Sequence, residues 1–172
     1  AATLGEAGIK STVMLLGENV EAHAEADAVV TEYVAALRKV ADSELDTEVS
    51  VKLTQLGLDF GVAEATERLG RIAESTASLV WVDMEGSDTV DDTLKVFRAV
   101  KERAGNVGLC IQSYLRRTEE DLAALLPLDP AIRVVKGAYK EPPTVAYAKK
   151  SEVDRNFVRL TQTLLRARLN GG

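Results

Sequence analysis

The chain has 172 residues, of which 46% are hydrophobic and 28% charged, as is usual for a globular protein with one sizeable core. Its formal net charge of −6 argues against binding to nucleic acid, because the attraction to phosphates would have the wrong sign. The single cysteine, Cys110, excludes an internal disulfide and metal sites built from several cysteines. We expect residues 1–172 to form one domain of a soluble protein in a reducing compartment, without a signal peptide or membrane span, and Cys110 to be buried.

Short apolar runs recur along the chain and predict buried strands. In chain order they are Thr12–Leu16, Val49–Leu53, Leu79–Val82, Val107–Gln112 and Ile132–Lys136. The runs are almost continuously apolar rather than alternating, which is typical of a parallel sheet covered by helices on both faces.

A helical pattern follows each of these runs. The predicted helices begin near Asn19, Val62, Asp91, Thr118 and Ser151. Thr118 is expected to cap an acidic first turn, and Ser151 is expected to begin the last helix with Asp154 in a capping box. Repeated strand–helix units of this length predict an α/β fold with a parallel sheet.

The pattern leaves two architectures open. No GxGxxG follows the first strand and GxxxxGK[ST] is absent, so an open sheet would lack the usual phosphate-binding loops. A (β/α)8 barrel usually needs about 250 residues and eight units. The chain therefore forms either an open five-stranded sheet or a parallel TIM-type barrel truncated to about five β/α units.

Polar residues follow the predicted strands, at the edge where active sites of parallel α/β folds assemble. They are Glu18, Lys52, Gln55, Asp83, Glu85, Gln112, Arg133, Lys136 and Tyr139. For Glu18, Gln55 and Glu85 the preferred interpretation is that strand ends simply meet solvent. Lys52 and Arg133 have apolar neighbours, and a buried cation needs a partner or an anionic ligand.

Asp83 directly follows a strand and is placed to neutralise one of these cations. If the barrel closes, Lys52, Asp83, Gln112 and Arg133 would form one ring with excess positive charge, which suits a substrate or cofactor with a carboxylate, a phosphate or a developing anion. His23 is expected to be a solvated helix residue. Serine-hydrolase, zinc and glycosidase chemistry have little support from the sequence, and no metal site is predicted.

Four segments together resemble the proline dehydrogenase family, whose members are flavin-dependent (β/α)8 barrel enzymes. The segments are VSVKLTQLGLD (Val49–Asp59), WVDMEGSDTVDDTLKVFR (Trp81–Arg98), LCIQSYLRRTEEDL (Leu109–Leu122) and RVVKGAYKEPPTVAY (Arg133–Tyr147). They occur in the order of the family and at similar spacing. The resemblance implies a barrel of which this chain holds about five of eight units, without the later paired arginines that clamp the substrate carboxylate.

The resemblance also implies a role for each matching residue. Lys52 would bind the substrate carboxylate, Asp83 would orient the cationic cluster, and Tyr139 would form a wall of the substrate pocket. Arg133 would approach the reactive N5 of the flavin. The residues implied to contact or line the FAD cofactor are Met84, Gln112, Val135, Lys136 and Gly137, the glycine by letting the backbone come close.

The implied reaction is oxidation of L-proline to 1-pyrroline-5-carboxylate, by hydride transfer from C5 to FAD. The implied electron acceptor is a quinone, and the expected location is the cytoplasm, with peripheral contact to the inner membrane an open possibility. Two alternatives remain: a non-catalytic fragment of a barrel, and a different α/β enzyme that acts on an anionic small molecule. The oligomeric state is not predicted.

Overall fold

The computed structural model describes residues 2–43 and 45–170. The strands in this part of the chain are Ser11–Val13 (β1), Thr47–Val51 (β2), Val80–Val82 (β3), Val107–Gln112 (β4) and Ala131–Val135 (β5). The α-helices are Ala2–Glu6 (α1), His23–Asp42 (α2), Val62–Glu74 (α3), Val90–Arg103 (α4), Thr118–Leu125 (α5) and Lys150–Asn170 (α6). Three short 3₁₀ turns lie at Leu58–Phe60, Ser87–Thr89 and Leu126–Leu128.

The strands follow one another in the sheet in the order β1-β2-β3-β4-β5. The register is parallel, with Val13 beside Val49 and Val49 beside Val80. Since a helix of at least eight residues follows every strand, the predicted alternation of strand and helix is confirmed. Parallel neighbours require such crossovers, which return the chain to the same end of the sheet.

The described residues group into two compact units. The first lies within Ala1–Asp83 and Asp91–Gly108, and the second within Met84–Val90 and Leu109–Gly172. The core of the first unit includes fully buried Val51, Leu69 and Phe97, and that of the second includes Leu109, Leu125 and Leu160. The organisation of residues 1–172 as a single domain stays a prediction.

The first strand and helix differ from the prediction. β1 ends at Val13, and the predicted continuation exposes Met14 and Leu16, the latter by 92%. Asn19 has a φ of 50°, a left-handed conformation that cannot belong to a right-handed helix. α2 therefore begins only at His23, whose side chain is 61% exposed, as expected for a solvated residue.

Both capping predictions were wrong. Thr118 is the first residue of α5, where Arg117 is the N-cap, and its hydroxyl donates to the carbonyl of Gln112 at 2.6 Å. α6 begins at Lys150, and Asp154 accepts a hydrogen bond from Lys136 instead of capping the helix. In both cases the side chain has a partner outside its own helix, which a local pattern does not reveal.

One further expectation concerns the burial of the cysteine. Cys110 is 5% exposed, so the predicted buried thiol is confirmed.

No helix within residues 2–43 and 45–170 has both the length and the apolar character that crossing a membrane requires.

Candidate functional site

Lys52 directly follows β2, and its ammonium group pairs with the carboxylate of Glu18. The Lys52 side chain is 20% exposed, and the next residue, Leu53, is fully buried. The predicted need of this cation for an anion is therefore met by Glu18 from the segment after β1. Glu18 itself is exposed, as expected for a residue at a strand end.

Asp83 follows β3 and is held by a chain of hydrogen bonds. Its backbone N–H donates to the carbonyl of Val51 at 2.9 Å, and its Oδ1 accepts from the hydroxyl of Ser50 at 2.7 Å. The Ser50 carbonyl in turn accepts from the hydroxyl of Tyr33 at 2.8 Å, which accepts from the N–H of Leu15 at 3.1 Å. These hydrogen bonds fix the Asp83 carboxylate at the carboxyl end of β3.

Tyr33 is a buried member of this hydrogen-bonded series, with 1% of its surface exposed. Burial, and to a lesser degree the charge of Asp83, raises the pKa of the Tyr33 phenol to about 12. The phenol therefore stays neutral at physiological pH and can donate to Ser50.

Gln55 and Glu85 overturn the interpretation that polar residues at strand ends meet solvent. Gln55 is 4% exposed in the first unit, and its Oε1 has no hydrogen-bond partner within the described ranges. Its Nε2 would lie 2.9 Å from a Cβ on Gly17, so the amide packs under that glycine. Glu85 is 3% exposed in the second unit. Both side chains are therefore buried, contrary to the expectation.

Met84 and Gln112, two predicted cofactor residues, are brought together in the second unit. Gln112 is the last residue of β4 and is 2% exposed, and Met84 is 7% exposed. The Gln112 Nε2 donates to the Met84 carbonyl at 2.9 Å. Its Oε1 is buried and has no hydrogen-bond partner in the part of the chain that the structure describes. Such an acceptor is free to take a hydrogen bond from a water molecule or from a ligand.

The predicted residues of β5 are only half-buried. Arg133 and Val135 are of intermediate exposure, and β4 and β5 continue into a shared backbone ladder in which Ser113 N–H donates to the Val135 carbonyl at 2.7 Å. Lys136 lies beyond the strand and its side chain is 52% exposed, so the expectation of a buried lysine was wrong. It pairs with Asp154 on α6, and this hydrogen bond lowers the pKa of the Asp154 carboxyl.

Gly137 has a φ of 109°, which L side chains rarely adopt. A Cβ at this position would lie 2.2 Å from Cδ1 of Tyr114, so the tyrosine ring occupies the space beside the glycine. Tyr139 follows two residues later and is half-buried. Burial, followed by the charge of Glu141, raises the pKa of the Tyr114 phenol to about 12.

The structure adds residues that sequence reasoning missed. Glu141 accepts two hydrogen bonds from Ser87, and Asn156 on α6 donates to the carbonyl of Ser113 at 2.7 Å. The only local signal was the position of Glu141 within the YKEPP segment. Periodicity could not find these residues, because each acts through a partner more than 40 positions away.

The predicted site residues thus fall into two groups. Lys52 and Asp83 belong to the first unit. The others belong to the second unit and are Met84, Gln112, Arg133, Val135, Lys136, Gly137 and Tyr139. Among the described residues, no group of His, Cys, Asp and Glu side chains is arranged to hold a metal ion.

Comparison with known proteins identifies relatives of the chain. A family model described as proline dehydrogenase matches residues 1–170. The chain is 37% identical over 171 residues to proline dehydrogenase 2 of Bacillus subtilis (98% of this chain, 55% of the relative). It is 35% identical over 169 residues to proline dehydrogenase of Deinococcus radiodurans (93% and 54%). The chain therefore spans about half the length of the curated relatives it matches.

Solved structures show the same fold. The structure of proline utilization A from Bdellovibrio bacteriovorus, inactivated by N-propargylglycine, superimposes with a TM-score of 0.82 at 23% identity, over 96% of this chain and 23% of that chain. This likeness confirms the predicted α/β fold of parallel strand–helix units of the barrel type. The family model that matches residues 1–170 leads to one conclusion: the chain belongs to the proline dehydrogenase family.

Proposed function

We propose that this chain forms part of the FAD site and substrate pocket of an enzyme that oxidises L-proline to 1-pyrroline-5-carboxylate. Family membership over residues 1–170 supports the reaction. The observation on the molecule that carries the proposal is the buried Oε1 of Gln112, an acceptor without a partner in the described part of the chain. A buried polar atom of this kind is costly unless a ligand satisfies it.

The residues present fit the flavin. Met84 and Gln112 offer a buried apolar wall beside a fixed amide, and Val135, Lys136 and Gly137 continue from β5 next to the end of β4. These residues would hold the isoalloxazine ring, with the Gln112 oxygen accepting a hydrogen bond from it. When bound, FAD supplies the acceptor for the hydride that leaves C5 of proline.

The polar residues of the chain would bind the proline substrate and orient it. Lys52 would pair with the proline carboxylate, and Asp83, which Ser50 holds at 2.7 Å, would fix the local charge arrangement. The guanidinium of Arg133 would stabilise negative charge as the hydride is transferred. Tyr139 is half-buried and would exclude water from one side of the pocket.

The proposal also includes the electron acceptor and the cellular location of the protein. A quinone would reoxidise the enzyme, and the protein would work in the cytoplasm, in peripheral contact with the inner membrane. The family resemblance supports both statements. Cell fractionation together with assays that compare quinones with soluble acceptors tests them, and turnover with soluble acceptors alone would contradict the quinone.

The test of the reaction is the flavin spectrum of the purified native gene product. We expect bound flavin that L-proline bleaches, and we expect Arg133→Ala to slow bleaching by at least about tenfold, because a cation that stabilises charge in the transition state would be lost. Arg155→Ala is the matched control, because Arg155 is an exposed arginine on α6 that bonds only a carbonyl of its own helix in the described structure. A colourless protein that takes up no flavin would refute the proposal.

The same measurement separates the alternatives. If the 172-residue chain alone neither binds flavin nor turns over proline while the native gene product does both, the chain by itself is non-catalytic. If flavin binds but only other anionic substrates bleach it, a different activity replaces proline oxidation.

A further inference from the structure

Glu141 holds Ser87 with both oxygens of its carboxylate. Oε1 accepts from the Ser87 backbone N–H at 2.7 Å, and Oε2 accepts from the Ser87 hydroxyl at 2.6 Å. Ser87 begins the 3₁₀ turn Ser87–Thr89, and N–H groups at the start of a helical turn lack partners of their own. Two charge-assisted hydrogen bonds to one residue make a strong and directional link.

This link fixes one end of the Met84–Ser87 segment. The other end is fixed by Gln112, whose Nε2 donates to the Met84 carbonyl at 2.9 Å. Between the two points Glu85 is 3% exposed, and Gly86 lies so close to Asp88 that a Cβ would be 2.5 Å from its Oδ1. The segment therefore has little freedom as long as both ends are held.

The orientation of the Gln112 side-chain amide depends on the Met84–Ser87 segment. With Nε2 bound to the Met84 carbonyl, Oε1 points in one defined direction, and this oxygen has no partner in the described part of the chain. If the Met84 carbonyl moved, the amide would lose its anchor and could rotate. A ligand would then have to order the side chain on binding, which weakens affinity.

We propose that Glu141 is a positioning residue of the flavin site, which acts through the Met84–Ser87 segment to orient the Gln112 amide toward the cofactor. The proposal rests on the proposed function for the identity of the ligand. Glu141 itself follows Tyr139 by two positions, so the loop that carries a predicted substrate residue also supports, through Ser87, the segment that anchors the Gln112 amide. Outer partners that orient a binding group commonly contribute about tenfold or more to affinity or activity.

The first test needs no flavin and measures amide hydrogen exchange in the native gene product freed of cofactor. We expect Glu141→Ala to accelerate exchange at Ser87 and Gly86, and Glu141→Gln to restore much of the protection, because its amide oxygen still accepts from the N–H. Glu152→Ala is the control, since Glu152 accepts a backbone N–H at the start of α6, from Lys149 at 3.3 Å. Unchanged protection at Ser87 in Glu141→Ala would overturn the proposal.

The second test is a double-mutant cycle on flavin affinity. We expect Glu141→Ala to raise the flavin Kd about tenfold alone, but less than about twofold in a Gln112→Ala background, because one residue acts through the other. Ser87→Ala should shift the Kd in the same direction by a smaller factor, and the visible circular dichroism of bound flavin should change with it. Additive effects of Glu141→Ala and Gln112→Ala would overturn the proposal.

Thermal unfolding of every variant without flavin provides the structural control. A variant that merely loosens the fold would lower Tm without coupling to Gln112. A wild-type protein that binds no flavin would refute the proposed function, and the positioning role with it. A wild type that binds flavin with an additive cycle would refute the positioning role alone.

Discussion

The ring of Tyr114 lies beside Gly137 so closely that a Cβ on the glycine would be 2.2 Å from Cδ1 of the tyrosine. Real Cβ atoms do not approach other atoms this closely, and the φ of 109° at Gly137 already disfavours any side chain. The glycine is therefore required by packing within the protein. The expectation that it also lets the backbone approach a cofactor stays a prediction.

Gly137→Ala should lower the free energy of unfolding by more than about 2 kcal/mol, because steric overlap adds to backbone strain. Urea denaturation measures this change. Gly105→Ala is the matched control, since its Cβ would meet no atom within 4 Å. In a Tyr114→Ala background the cost of Gly137→Ala should shrink, and an undiminished cost would contradict the role of the ring.

Tyr33→Phe should destabilise the protein by about 1–3 kcal/mol at pH 8, because the buried Ser50 carbonyl and the partly buried Leu15 N–H lose their partner. The effect of pH has a definite sign. Since the folded pKa of Tyr33 is about 12 and the ordinary value is 10.0, the unfolded state releases its proton first as pH rises. The stability that this phenol contributes is complete below pH 10 and is lost as pH rises toward 12.

The measurement is the stability difference between wild type and Tyr33→Phe at pH 8 and near pH 12. The difference should shrink at the higher pH, because wild type alone titrates this group. A difference that is independent of pH would show that the phenol is not shielded in the folded protein.

Lys52→Ala should raise the KM for proline by at least about tenfold with a smaller change in kcat, because a charge pair to a substrate carboxylate contributes to binding in ground and transition states alike. Steady-state kinetics with L-proline test this. Lys95→Ala is the control, since Lys95 forms an exposed ion pair with Asp92 on α4. An unchanged KM would remove Lys52 from the substrate site.

Asn156→Ala should destabilise the protein by about 1–3 kcal/mol, because the buried Ser113 carbonyl would lose a donor at 2.7 Å. Chemical denaturation measures the effect, and Gln162→Ala, an exposed amide on the same helix, serves as control. Equal effects of the two substitutions would show that the hydrogen bond to Ser113 contributes nothing.

Asp27→Asn should reduce the acid sensitivity of the fold. A hydrogen bond from the buried guanidinium of Arg68 lowers the pKa of the Asp27 carboxyl below 3.8. The stability from this pair is present above pH 3.8 and is lost as pH falls through the lowered pKa. Acid titration monitored by circular dichroism should therefore show a shallower loss for Asp27→Asn than for wild type, from a lower starting stability. An identical slope would contradict the pairing.

The sequence by itself determined the order of the elements. The predicted strand Val107–Gln112 coincides with β4, and the predicted start of a helix at Val62 coincides with that of α3. Burial of Cys110 was also predictable, and the order and spacing of four motifs were enough to recognise the family. These features depend on short stretches of sequence, because the periodicity of apolar residues indicates the type of each element and the face that it buries.

Only the tertiary structure decided the surroundings of the polar residues. Gln55 and Glu85 are buried where exposure was expected, and Lys136 is exposed where burial was expected. Glu141 meets Ser87 across 54 positions, and the tyrosine that makes Gly137 necessary belongs to another strand end. The burial of a polar side chain depends on partners distant in the chain, and periodicity contains no information about them.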